Sequence, residues 1–217
     1  DAFTNGKEIV LGYGAYEKTP GLLNKLIRFE TFFTALQYFS YALAGIPYMG
    51  VGRNLAYKKE LFLRNKGFSM HNQLPGGDDD LFINRVATKH NTAIVIDKEA
   101  FTCSKAKTQW STWRSQKARH YTTGKYYKGQ HKFLLGLFSF SHFLLYPLLI
   151  ASIIFYCWWL ALAVFGFRFL LQGIIYFSTM RKLGEGDLFW MYPLLDLWQW
   201  LYYLLFAPAL FKRPQPN

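Results

Sequence analysis

Three carboxylates in a row, Asp78, Asp79 and Asp80, stand between two glycines and an apolar run in "LPGGDDDLFINR". The chain carries a net charge of +12, from 25 Lys+Arg against 13 Asp+Glu, so three adjacent acids are a marked local departure. A Gly-Gly turn followed by a helix puts them at a helix N-terminus, where the macrodipole favours ionised carboxylates. One Asp there caps the helix and does nothing more. Three raise each other's pKa, and the crowding is relieved where a cation binds or where a proton is taken from a substrate. The cluster reads as a solvated turn, a cation site or one half of an active site.

A second group follows in "QKARH", Gln116 to His120. On a helix Gln116 and Arg119 share a face, and His120 lies one turn on from Gln116. A guanidinium beside a neutral amide suits a phosphate, because Arg grips oxyanions in bidentate fashion. Taken alone, the same residues read more readily as a solvated basic helix beside lipid headgroups.

The elements around these groups can be read from periodicity and punctuation. Ile9, Val10 and Leu11 form a short β-rich core closed by Gly12 and Gly14. Leu22, Leu26, Phe29, Phe33, Leu36, Phe39 and Leu43 step by three or four, which predicts an amphipathic helix ending at Gly45. It reads either as a surface helix packed on the domain or as a helix at the membrane or along a cleft. "NLAY" predicts a strand and "KKELFLRN" a short helix stopped by Gly67. "LFINRVATKHN" predicts a helix with Leu81, Phe82, Val86 and Ala87 inward, and Thr92 to Asp97 a buried strand. "WSTWRSQKARHYTTGKYYKG" predicts a basic, aromatic helix leading to a membrane. The opening "DAFTNGKEIVLGYG" reads like a helix end, a turn and a strand cut from something longer.

That membrane follows from composition. No charged residue occurs from Phe133 to Phe167, and Asp196 alone interrupts Leu188 to Phe211. About 20 apolar residues span a bilayer, so both runs qualify. Continued to Thr179, the first run fits two crossings. "RKLGEGD" is then a cytoplasmic loop, and the last run is a third crossing or a re-entrant hairpin. Pro193, Asp196, Pro208 and the closing Lys212 and Arg213 bear on that choice. Residues 1–132 carry 20 Lys+Arg against 10 Asp+Glu, and residues 133–217 carry 5 against 3. The positive-inside rule puts the basic part in the cytoplasm, where it also meets anionic lipid. The apolar runs weigh against nucleic acid as its partner. Cys103 and Cys157, one in each part, make neither a disulfide framework nor a cysteine metal site.

In order, "GVGRNLAYKK", "GGDDDL", a Q-x-x-R with an aromatic ring, and membrane helices resemble membrane-bound, processive-type family 2 glycosyltransferases. That family comprises inverting enzymes of the GT-A fold, among them cellulose, chitin and hyaluronan synthases. The resemblance covers the whole chain but only the second half of such an enzyme. It implies an α/β architecture: the acceptor-side half of a GT-A domain over residues 1–132, then a helical transmembrane region over 133–217. Asp78 matches the family's catalytic base and Asp80 its second acidic position, with Asp79 on a variable one. Gln116 and Arg119 match a clamp on the donor diphosphate. Gly52, Arg53 and Asn54 match an acceptor-side segment, with His120 where the family has a Trp that stacks on the acceptor sugar. Gly77 stands where the family often has Glu. The resemblance implies a nucleotide-sugar donor, a glycan or lipid-linked acceptor, and a cell membrane of the bacterial inner-membrane kind. It also implies a divalent cation, Mg or Mn, held mainly by a D-x-D pair that these residues do not contain. A fragment of a longer enzyme or an inactive relative both fit. The rival class is a non-catalytic membrane protein whose basic domain binds lipid headgroups or a partner enzyme. A transporter fits less well, since the polar residues gather before the apolar runs.

Overall fold

The computed structural model describes residues 2–69 and 77–211. Leu74, Pro75, Gly76, Lys212 and Arg213 lie outside the described residues. The polar part is built on β1 (Ile9–Leu11), whose Ile9 and Leu11 are fully buried. β1 pairs antiparallel with β3 (Leu55–Tyr57) and parallel with β4 (Thr92–Ile94). After a break at Gly12 and Tyr13, β2 (Gly14–Tyr16) pairs in parallel with β5 (Thr102–Ser104). The break is packed shut: a Cβ on Gly12 would lie 2.5 Å from the Asn54 side chain, so the strand admits only glycine there. Each strand has three residues and the molecule is mostly helical, so the expected α/β character is present only as two small sheets with helices packed against them. The strand expected over Thr92 to Asp97 stops at Ile94 and is half-buried rather than buried, with Ile96 41% exposed. β4 is the edge of its sheet, so no strand covers its outer side.

α1 (Leu22–Leu43) is the long amphipathic helix, closed by Gly45 at φ 82°. It is no surface helix. Its middle is buried on several sides, Arg28 and Glu30 included, between the sheets and the apolar region. Phe29 and Phe32 meet Tyr176, and Phe33 meets Phe138. α2 (Lys59–Arg64) leads to Gly67 at φ 55°. α3 (Asp78–Val86) begins on the acidic cluster and ends sooner than its apolar pattern predicts. The Asn91 side chain accepts from the Thr88 N–H and donates to the Val86 carbonyl, which satisfies the helix end and turns the chain out.

α4 (Trp110–Thr123) and a 3₁₀ turn lead into α5 (Gly129–Phe155), which α6 (Trp158–Lys182) follows after two residues. α5 and α6 are long and apolar enough to cross a membrane, and Phe155, at their far turn, is 84% exposed. At 1.5 Å per residue they run roughly 40 Å, beyond the ~30 Å hydrocarbon core. α7 (Tyr192–Phe206) has 15 residues, about 22 Å, too short to cross. It packs back onto the hairpin through Asp196, 1% exposed, which accepts from Arg168 (3.0 Å, twice), Gln172 (2.6 Å) and Tyr146 (2.8 Å). Pairing of this kind is what makes an ionised group tolerable beside lipid.

The hairpin returns to the polar part and is tied there. Arg28 donates through Nε (2.8 Å) and Nη2 (2.6 Å) to Glu185 Oε2, and through Nη2 to Asp187 (2.6 Å). Tyr13 and Lys18 complete the knot, on Glu185 at 2.9 Å and Asp187 at 2.6 Å. Burial raises the Glu185 carboxyl against the pull of Arg28. Partial burial also opposes charge on Asp187, yet Arg28 and Lys18 hold it down at about 2.

Candidate functional site

The first turn of α3 sends its three carboxylates to three destinations. Gly77 precedes it at φ 83°, and a Cβ there would lie 2.4 Å from Thr123 Cγ2. Backbone and space both demand glycine at a position where the resembling family often carries Glu. Asp79 closes the helix end: Oδ1 accepts from the Asp80 N–H (2.9 Å) and Oδ2 from the Gly52 N–H (2.6 Å). A Cβ on Gly52 would sit 2.7 Å from that oxygen, so Gly52 lets the loop before β3 approach the acids. Asp80 is buried and accepts from Thr123 Oγ1 (3.0 Å) and the Tyr127 hydroxyl (2.6 Å). Burial lifts its pKa to about 6 against those hydrogen bonds, and the Asp79 charge adds to the rise. One turn further, buried Asn84 accepts from the Lys128 N–H (2.9 Å) and meets His131 Nδ1 at 2.9 Å. Asp80 and Asn84 thus share one face of α3 and fix the linker between α4 and α5. Asp78 is exposed, and its carboxylate takes no hydrogen bond among the described residues.

α4 carries the second group and is aimed by aromatic packing. Buried Trp113 rests on Trp198, Tyr202 and Phe206, and Tyr121 packs on the last two. Lys117, one turn on from Trp113, reaches α1 and forms an ion pair with Glu30. Gln116, Arg119 and His120 open with Lys117 onto a single cavity of about 1390 Å³. Asp78, Asp79, Asp80, Gly52 and Arg53 line the same cavity. No carboxylate pairs with the Arg119 guanidinium among the described residues. The His120 ring reaches the cavity, where desolvation by the surrounding protein and the Lys117 charge both disfavour its imidazolium and lower its pKa. His120 is therefore a neutral ring near pH 7.

Arg53 lines the cavity while donating to the Ala15 carbonyl (3.0 Å) and lying 4.0 Å over the Tyr16 ring. Asn54 is not among the lining residues. Its amide donates to the carbonyls of Tyr13 (2.9 Å) and Ala100 (2.8 Å), joining β2 to the segment before β5. The acidic cluster does not fit a resident cation: Asp79 and Asp80 are spent on protein donors in different directions, and no group of three His, Cys, Asp or Glu among the described residues is placed to hold one. Sequence reasoning did not find Glu30, Lys117, Tyr127 or Thr123. The basic, aromatic character of "QKARHYTTGKYYKG" pointed toward the last three, and no signal marked Glu30. No family model and no curated protein matches this chain.

Proposed function

We propose that these residues are the acceptor-side part of an inverting, membrane-bound family 2 glycosyltransferase of GT-A type. It moves a sugar from a nucleotide-sugar donor to an envelope glycan or glycolipid, with its polar part in the cytoplasm. One observation carries this reading. Asp78 and Arg119, on different helices and without an ion-pair partner among the described residues, open onto one cavity beside a helix long enough to cross a membrane. Asp78 is the general base. It takes the proton of an acceptor hydroxyl that attacks the anomeric carbon from the face opposite the leaving nucleotide. Arg119 and Gln116 meet the diphosphate and stabilise the charge that develops on it. His120 offers a flat neutral face to the acceptor. Asp79 and Asp80 set the frame, the first through Gly52 and the second through Thr123 and Tyr127. The divalent cation implied by the resemblance would be held on the donor side.

The test is transfer of radiolabelled sugar by membranes containing the complete protein. Wild type transfers label, and Asp78→Asn abolishes transfer while the donor still binds. Retained turnover in that variant refutes the base. No transfer from any nucleotide sugar leaves the lipid-binding, non-catalytic reading.

A further inference from the structure

The cavity does not end at the polar groups. It continues along α5 past Leu135, Gly136, Ser139, Phe140 and Phe143, spaced to lie on one helical face. Tyr203 and Leu204 of α7, with Ala207 and Pro208 beyond it, form the facing wall. Its volume, about 1390 Å³, exceeds the roughly 300–1,000 Å³ of ordinary small-molecule sites. The stretch beside α5 and α7 is an arm with largely hydrocarbon walls, and one of those walls is a helix apolar enough to cross a membrane.

Resting on the transferase reading above, we infer that the acceptor is a neutral lipid bearing a free hydroxyl, with its hydrocarbon chain in the arm between α5 and α7. A chain there enters sideways from the bilayer and never crosses water, and each buried CH₂ contributes about 0.8 kcal/mol. The polar end selects the headgroup. A lipid phosphate, with a second pKa near 6, is largely dianionic at pH 7 and needs no base. An alcohol needs a base, and the exposed Asp78 carboxylate, which takes no hydrogen bond among the described residues, can serve as one. In the step, the lipid oxygen bonds to the anomeric carbon as the bond from that carbon to the diphosphate oxygen breaks. The proton passes to Asp78, and the electron pair leaves with the nucleoside diphosphate.

Gly136 provides the test, because it lines the arm and a Cβ there meets nothing within 4 Å, so a larger side chain starts into open space. The complete protein in nanodiscs is given radiolabelled nucleotide sugars and four acceptors: a long-chain diacylglycerol, a long-chain N-acyl amino alcohol, the diacetyl analogue of the first, and a polyprenyl phosphate. We expect label in a long-chain alcohol at least about 10-fold above the diacetyl analogue. Gly136→Phe should cut that ratio about 10-fold. A diazirine-bearing diacylglycerol, read without turnover, should cross-link to residues 135–143 and 203–208 in competition with unlabelled lipid. Preference for the polyprenyl phosphate, equal use of the diacetyl analogue, or cross-links confined to the outward residues Phe133 and Leu137 overturn the lipid assignment and leave the transferase reading standing. Absence of transfer to any acceptor, soluble glycans included, overturns both.

Discussion

Two sets of charges sit on opposite sides of α1. On one side Arg28 and Glu185, each 2% exposed, are met by one another and by Tyr13 and Asp187, and this knot fastens the helical hairpin to the sheets. On the other side Asp78 and Arg119 open onto a cavity and meet no partner among the described residues. Burying a charge is tolerable only when it is paired. The first set therefore accounts for itself as architecture. The second is exposed to solvent, and what relates its two members is the cavity they share. Exposure alone does not make the contrast, since Lys18 and Asp187 are also accessible yet answer each other at 2.6 Å.

If the contrast is right, substitutions on the two sides fail in different assays. Asp78→Asn should lower sugar transfer by about 10²- to 10⁴-fold, the usual span for a general base. Its thermal melt in detergent should stay within roughly 0.5 kcal/mol of wild type, as for a surface change. A variant that melts early and transfers normally would reverse the assignment. Arg28→Met should do the opposite, costing on the order of 3–5 kcal/mol in denaturant unfolding because Glu185 stays buried without its cation. Arg119→Ala should reduce kcat/KM for the nucleotide sugar by about 10²-fold, near the low end for removing one donor to a developing charge. Unchanged kinetics would move the diphosphate elsewhere.

The smallest effect sharpens the comparison within the acidic cluster. Asp80 has a folded pKa of about 6 against an ordinary 3.8. Between those values the folded protein keeps a proton that the unfolded chain has released, so stability falls as pH rises from about 4 to about 6 and levels above that. Asp80→Asn should remove the fall when melting is followed across that range. The same slope in the variant would assign it to other groups.

What the sequence made legible is local. The stripe through α1, the Gly77 turn into three acids and the uncharged run that became α5 and α6 all signal within one turn or one span. Gln116 and Arg119 were found the same way, as neighbours on one helix face. What stayed hidden is pairing at a distance: Arg28 with Glu185 across 157 positions, Asp80 with Tyr127 across 47. No spacing rule links such residues, because tertiary packing chooses the partners. Of the two readings of α1, the one along a cleft holds, since Glu30, Thr34 and Tyr38 line the cavity, and the surface reading does not. The apolar arm of the cavity also escaped notice, since Gly136 and Ser139 look like any other residues of a membrane helix.

The central claim is that Asp78 and Arg119 act on one reaction in one cavity, and a double-mutant cycle on kcat/KM tests it most directly. Groups serving the same transition state are grossly non-additive. The account predicts that Asp78→Asn with Arg119→Ala costs far less than the product of the two single losses. Losses that multiply, or a single variant with full activity, would contradict it.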